Sequence, residues 1–189
     1  MVKLDKIYTR GGDRGETSLG DGTRAPKHSL RIVAQGDVDE ANSAIGLARL
    51  HATDDPVDDV LARIQNDLFD LGADITRPGG DPADGKLRVH PNQVARLERE
   101  IDEVNGNLAP LTSFVLRGGG RLAAHLHFAC TVVRRAERAV TALAAAEAVT
   151  PEAVSYLNRL SDLLFVMARQ ANDGGRSDVL WQPGLTAQD

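Results

Sequence analysis

Residues 114–140, FVLRGGGRLAAHLHFACTVVRRAERAV, decide the fold: an apolar, strand-like tripeptide runs into a glycine hinge and then into a long helix. Leu122, Leu126, Ala129, Val133, Ala136 and Val140 recur at alternating steps of four and three, the spacing of a buried stripe on an α-helix. His127, Cys130, Thr131, Arg134, Glu137 and Arg138 share a second face at three- and four-residue steps, and that face ends in a charge cluster with Arg135. Such a cluster is either a solvated surface with an Arg134–Glu137 pair or part of a binding site, and by itself it does not distinguish the two.

On both sides of this stretch the chain keeps a helical period. Val38, Ala41, Ile45 and Ala48 predict a helix over about 37–52, with Asp37 and Glu40 as a capping-box-like start. Pro56 opens the next, carried to about residue 76 by Val57, Val60, Leu61, Ile64, Leu68, Leu71 and Ile75, before an exposed RPGGDPADGK loop over 77–86. A third begins near Pro91 with Val94, Leu97, Ile101 and Val104 and stops near Gly106. After the organising helix (about 120–147), Pro151 starts a fifth whose stripe is Val154, Leu157, Leu160, Leu164 and Met167. Asn158, Arg159, Ser161 and Asp162 interrupt that apolar run and need partners, on a neighbouring helix or on a ligand. The expectation is an all-α fold: a five-helix bundle preceded by a glycine-rich N-terminal arm. One domain spans 1–189, divided into arm (1–36), bundle (37–173) and C-terminal tail (174–189).

Composition narrows the function. Aromatics make up only 4% of the chain, so the core must come from Leu, Val, Ile and Ala. A single cysteine excludes an intrachain disulfide and any cysteine-based zinc site, which fits a reducing compartment. No run approaches the roughly 20 apolar residues of a membrane span, and MVKLDKIYTR lacks the apolar centre of a signal peptide, so a cytoplasmic protein is expected. The net charge of −5 argues against a general nucleic-acid binder.

That charge is unevenly spread. Residues 1–36 hold seven Lys or Arg (Lys3, Lys6, Arg10, Arg14, Arg24, Lys27, Arg31) against Asp5, Asp13, Glu16 and Asp21, net +3, which leaves −8 on the rest. A basic segment on an acidic body suggests a local anion site. The arm, TRGGDRGETSLGDGTRAPKHSLR (9–31), is rich in glycine, which lets main-chain N–H groups approach an anion closely. Thr9, Thr17 and Ser18 add hydroxyls, and Arg10, Lys27 and Arg31 add charge, the provisions a polyphosphate needs. It is not a Walker loop, because Asp21 and Gly22 follow Gly15–Gly20 where Lys and Ser or Thr are required. A plain flexible arm would share this composition.

In order along the chain, TRGGDRGETSLGDG (9–22), Lys27, Arg31, GDVDEAN (36–42), FVLRGGG (114–120), RRAER (134–138), YLNRLSD (156–162) and DVLWQPG (178–184) resemble the PduO-type ATP:cob(I)alamin adenosyltransferases over essentially the whole chain. The resemblance implies a five-helix bundle assembled as a homotrimer, with an active site at each subunit interface. It implies transfer of the 5′-deoxyadenosyl group of ATP to cob(I)alamin, giving adenosylcobalamin and triphosphate, with Mg2+ accompanying ATP. Cob(I)alamin is itself a very strong nucleophile, so the protein needs no general base, and no Ser-His-Asp or Cys-His constellation is visible. What remains for the protein is position and charge at the triphosphate leaving group.

By the same resemblance Thr9, Arg10, Gly11, Gly12, Thr17, Ser18, Lys27 and Arg31 form the phosphate and ribose cradle. Arg134, Arg135, Ala136, Glu137, Arg138 and Asn158 come from the bundle of an adjacent subunit. Phe114 matches the family aromatic on the face of the corrin where the lower ligand would sit, and Phe114, Arg134 and Asp39 are the catalytic candidates. No residue is expected to hold a metal of its own. A reductase supplying cob(I)alamin and an adenosylcobalamin-dependent enzyme accepting the product are further implied partners; nucleic acid and membrane are not. Three positions depart from the family pattern: Arg117 replaces Pro, Gln35 replaces an aromatic, and Cys130 replaces the Arg that pairs with the acid matching Asp39. Either Arg135 or Arg138 compensates for that Arg, or cobalamin handling is altered. A non-catalytic ATP-binding helical regulatory module would use the same arm, but gives no reason for Phe114 beside a glycine hinge.

Overall fold

The computed structural model describes residues 7–53, 56–79 and 84–187; Lys3, Asp5 and Lys6 of the basic segment, and residues 80–83 of the 77–86 loop, lie outside them. Among the described residues there are five helices: α1 (Leu30–Arg49), α2 (Pro56–Ile75), α3 (Pro91–Asn105), α4 (Arg121–Ala146) and α5 (Pro151–Ala171). They form the expected bundle. α1 and α4 pack together along their length, α2 flanks α1, and α5 joins α4 to α3. Paired cross-links, Asn42–Gln65 with Arg49–Asp58, Cys130–Ser161 with Glu137–Asn158, and Arg63–Glu100 with Asp67–Arg96, make the α1/α2, α4/α5 and α2/α3 pairs antiparallel. Ala34, Val38, Ala41, Ile45 and Ala48 of α1 meet Leu126, Ala129, Val133, Ala136 and Val140 of α4 in one core that continues through Leu157, Leu160 and Leu164. Small residues predominate where α1 meets α4, so the backbones approach closely and little room is left for error in packing. Among the described residues no helix is long and apolar enough to cross a membrane.

Proline starts three of the helices, as its fixed φ and missing N–H favour, and His90 caps α3 in a reciprocal capping box with Gln93. The start of α1 differs from expectation. The helix begins at Leu30, so the arm ends seven residues earlier than residue 36, and Asp37 lies well inside the helix. Gly36, whose cost in a helix interior is about 1 kcal/mol relative to Ala, makes the boundary look like a loop. Tertiary contacts override it: Ala34 and Arg31 are both buried. The arm is also more than a loop. Strands β1 (Glu16–Ser18) and β2 (Arg24–Pro26) form an antiparallel hairpin with Thr17 opposite Ala25.

Candidate functional site

The tripeptide before the glycine hinge is held by the C-terminal tail. Val115 bridges Leu180, Leu116 N–H donates to Val179 O at 2.7 Å, and Trp181 N–H donates to Phe114 O at 2.8 Å. The hinge is clamped from α5: Asn172 Oδ1 accepts from Gly120 N–H at 3.0 Å, and Asn172 Nδ2 donates to Gly118 O at 3.2 Å. Gly119 between them has φ +107°, and a Cβ there would stand 2.1 Å from the Asn172 amide oxygen, so only glycine fits. This scaffold leaves the Phe114 ring 77% exposed at the edge of an open cavity of about 530 Å³. Leu111, Ser113, Val115, Arg117, Arg134 and Phe165 complete its walls. An apolar hollow with two guanidinium groups suits a mostly apolar ligand next to an anion.

Arg117 enters that cavity supported from behind. Its guanidinium lies 5.5 Å over the Phe165 ring and donates to His127 Nδ1 at 3.3 Å. His127 is fully buried, and burial, followed by the Arg117 charge, pushes its pKa below the ordinary value. The ring is therefore neutral, with its proton on Nε2, which has no hydrogen-bond partner.

Arg134 sits half-way along α4 and borders both this cavity and an adjoining cleft of about 350 Å³ formed with Glu137, Arg138 and Thr141. Its Nε donates to Ser161 Oγ at 3.3 Å, Asp162 lies 3.8 Å from its Nη2, and Arg138 donates to its main-chain oxygen at 3.1 Å. Asn158 donates to Glu137 Oε1 at 2.9 Å, and Arg159 pairs with Glu98. The unexpected polarity of α5 is thus answered by neighbouring helices. Two of the predicted binding residues lie elsewhere: Ala136 is fully buried in the core, and Arg135 is drawn to α1, where it pairs with Glu40 and lies 3.5 Å from Asp37.

Cys130 is also fully buried; its thiol donates to Ser161 O at 3.2 Å, and burial raises its pKa. Asp39 occupies a different hollow, about 420 Å³ between α1 and α2, with Gln35, Asn42, Ser43, Phe69 and Thr76. Desolvation lifts its carboxyl above the usual range. Among the described residues neither Arg135 nor Arg138 stands in for the missing arginine within the chain. Arg135 is committed to Asp37 and Glu40, Arg138 to the Arg134 carbonyl, and among the described residues Asp39 has no ion pair.

The arm brings most of its candidates together. Arg10, at φ +60°, begins a tight turn in which Asp13 N–H donates to Arg10 O and Gly15 N–H to Gly12 O. Arg24 spans the hairpin, donating to Gly11 O at 2.7 Å and to Ser18 Oγ at 3.2 Å. Lys27 N–H donates to Gly15 O at 2.8 Å, and its Nζ lies 3.0 Å from where a Cβ on Gly12 would be, so Gly12 leaves room for the ammonium group. Thr17 adjoins Ser18 on β1, and Thr9 Oγ1 lies near Gly11. Arg31 is the exception: 2% exposed, it donates to Glu147, Ile75 O and Ala148 O, so its guanidinium serves the bundle and not the cradle.

Gly20 N–H, on Thr76 O at 3.0 Å, fastens the hairpin to the same end of the bundle as Arg31 and Glu147. From Glu147 to Arg134 is about 20 Å along α4 at 1.5 Å per residue. Among the described residues no hydrogen bond or ion pair joins residues 9–27 to Arg134, Glu137, Arg138 or Asn158. The candidates therefore fall into two groups, the arm with the Asp39 hollow and the Phe114–Arg134 cavity, and one chain does not bring them into contact. No group of three or more His, Cys, Asp or Glu among the described residues could hold a metal ion.

Phe165 and Leu111, both in the cavity wall, carry no motif in the sequence; with aromatics so scarce, Phe165 on the polar side of α5 was the available signal. The model of the cobalamin adenosyltransferase family matches residues 7–171. A corrinoid adenosyltransferase of Mycobacterium leprae (strain TN) is 51% identical, over 97% of this chain and 98% of its own. A cobalamin adenosyltransferase of Cupriavidus metallidurans is 52% identical, over 95% and 96%. A variant of a PduO-type ATP:corrinoid adenosyltransferase from Lactobacillus reuteri, solved in complex with cobalamin and ATP, superposes with a TM-score of 0.87 at 34% identity, covering 94% of this chain and 99% of that one.

Proposed function

This chain belongs to the cobalamin adenosyltransferase family, and we propose that it carries out its reaction in a site that two copies complete. It is an enzyme that transfers the 5′-deoxyadenosyl group of ATP to cob(I)alamin, giving adenosylcobalamin and triphosphate. The cobalt nucleophile attacks the 5′ carbon, the C5′–O bond breaks, and its electron pair leaves with the triphosphate. No proton need be moved, which agrees with a site rich in arginine and glycine and poor in bases.

In the proposed arrangement the hairpin turn of Thr9–Gly12, with Thr17, Ser18 and Lys27, cradles the triphosphate, and Mg2+ enters bound to its oxygens. Arg134, with Glu137, Arg138 and Asn158 around it, belongs to the facing copy and stabilises the charge that the leaving group gains. The corrin lies in the Phe114 cavity, where the ring covers the lower face of cobalt and keeps a lower ligand away. A four-coordinate cob(II)alamin formed there is easier to reduce. A ring of three copies would repeat this interface three times. The cytoplasm is the proposed setting, since it holds ATP and is reducing enough for a cob(I) substrate, with a reductase upstream and an adenosylcobalamin-dependent enzyme downstream.

The observation that carries the shared site is the separation of about 20 Å between the arm's anchor and Arg134 within one chain. Co-expression of a Lys27→Ala chain with an Arg134→Ala chain tests it. Mixed oligomers would contain interfaces with both residues intact, so activity should reappear that neither variant shows alone. Mixed oligomers as inactive as the two parents would place the site within one chain.

A further inference from the structure

We propose that Trp181 is a positioning residue for Phe114: the tail carries it to the back of the ring, where it holds that ring over the cavity. The proposal rests on the reading above, that Phe114 faces the corrin. Phe114 is an aromatic side chain that its own segment does little to fix. It is mostly exposed, and it is the first residue of a short run, bridged to the tail at Val115, that leads through Arg117 into a glycine hinge. A ring in that setting would spread over several staggered rotamers. Its aromatic partner is Trp181, with centroids 5.9 Å apart and planes inclined at 60°, a tilted arrangement favoured by the ring quadrupoles. Trp181 does not itself line the cavity. It therefore acts through Phe114.

The backbone determines where Trp181 stands. Its N–H donates to Phe114 O at 2.8 Å, and its carbonyl accepts from Ser113 Oγ at 2.8 Å, so both sides of residue 181 are tied to the segment that bears Phe114. Upstream, the tail is fastened to the bundle by a buried pair, Arg169 Nε to Asp178 Oδ2 at 2.9 Å, and Arg169 reaches on to Ala109 O at the same distance. Asn172 binds Asp178 as well as Gly118 and Gly120, so one side chain sets both the tail and the hinge. Beyond Trp181, among the described residues, the main-chain hydrogen bonds outside regular structure are local turns at Leu185 and Ala187. The strap thus ends at the residue that touches the ring.

Full-length Trp181→Leu, Trp181→Phe and Phe114→Ala chains, and the Phe114→Ala/Trp181→Leu double variant, test the proposal. Each is measured for ATP affinity, for KM toward cob(II)alamin in the coupled reaction, and for the four-coordinate fraction of cob(II)alamin by absorption and electron paramagnetic resonance with ATP present. Trp181→Leu should lower the four-coordinate fraction about twofold or more, the effect of losing one aromatic contact, while ATP affinity stays unchanged. Trp181→Phe should keep more than half of the wild-type fraction. In the Phe114→Ala background, Trp181→Leu should add nothing, because its effect passes through the ring. If Trp181→Leu proves too unstable to assay, Ser113→Ala, which retains both aromatic side chains and frees the Trp181 carbonyl that fixes their placement, should shift the fraction the same way. A wild-type fraction in whichever of these two is assayed, or a further loss in the double variant, overturns the role of Trp181. An unchanged fraction in Phe114→Ala would instead overturn the placement of Phe114 against the corrin.

Discussion

Arg31 and Glu147, 116 positions apart, close one end of the bundle: Nη2 of the buried arginine lies 2.7 Å from Glu147 Oε2, and Nε lies 3.0 Å from the same oxygen. The arginine also takes in the carbonyls of Ile75 and Ala148, so one side chain gathers the first turn of α1, the last turn of α2 and the connection after α4. This is also where the hairpin is fastened, through Gly20 and Thr76. A basic residue that looks like a phosphate ligand thus closes the end of the bundle to which the hairpin is fastened.

Replacing Arg31 by Ala should therefore destabilise the chain without nucleotide present. Two carbonyls and a carboxylate lose their donor, a cost of about 1–3 kcal/mol. For a chain of this length that is a fall in melting temperature of about 2–12 °C. ATP affinity measured well below the transition should change little. A variant with an unaltered melting temperature and a large loss of ATP binding would put Arg31 in the cradle.

Arg134→Ala should reduce turnover by about a hundredfold or more. In the proposed site its guanidinium faces the departing triphosphate and acts on charge that develops in the transition state, where such groups are worth on the order of 3–4 kcal/mol. Single-turnover kinetics with saturating ATP and cob(I)alamin measure it. A rate near that of the wild type would remove Arg134 from the site.

Cys130 should be inert to a thiol reagent at pH 8 in the native protein and react fully once unfolded, since it has no exposure and burial favours the neutral thiol. Restoring the family residue by Cys130→Arg should not rescue a partner for Asp39. It should lower stability by about 1–3 kcal/mol through overpacking against Ser161 of α5. A Cys130→Arg chain as stable as its parent would mean that the α4–α5 contact yields more readily than its geometry indicates.

His127 makes stability depend on pH in a definite direction. Its pKa is depressed in the folded chain by burial and by Arg117, with the Asp178 carboxylate opposing, so the unfolded chain binds its proton first. The contribution is complete above about pH 6.5 and is lost as the pH falls from there through the folded pKa. Urea midpoints should therefore decline between pH 7.5 and 5 more steeply for the wild type than for His127→Leu. Parallel declines would show that His127 does not titrate on unfolding.

Periodicity alone determined much of this protein. The stripes of α2, α3, α4 and α5, with the proline starts of α2, α3 and α5, locate four helices to within a residue or two, because a core-facing helix must repeat its apolar residues at its own pitch. The motifs identified the family because they recur together and in order along the whole chain. Position in space was another matter. Whether Arg31 reaches outward to phosphate or inward to Glu147, and whether Arg135 serves Asp39 or Glu40, depend on which helix lies opposite, and no local spacing encodes that. The start of α1 was hidden behind Gly36, whose poor helix propensity is outweighed by burial of Ala34 and Arg31. The pairing of Phe114 with Trp181, 67 residues on in the chain, likewise exists only because the tail folds back along the hinge, brought there by Arg169, Asn172 and Asp178.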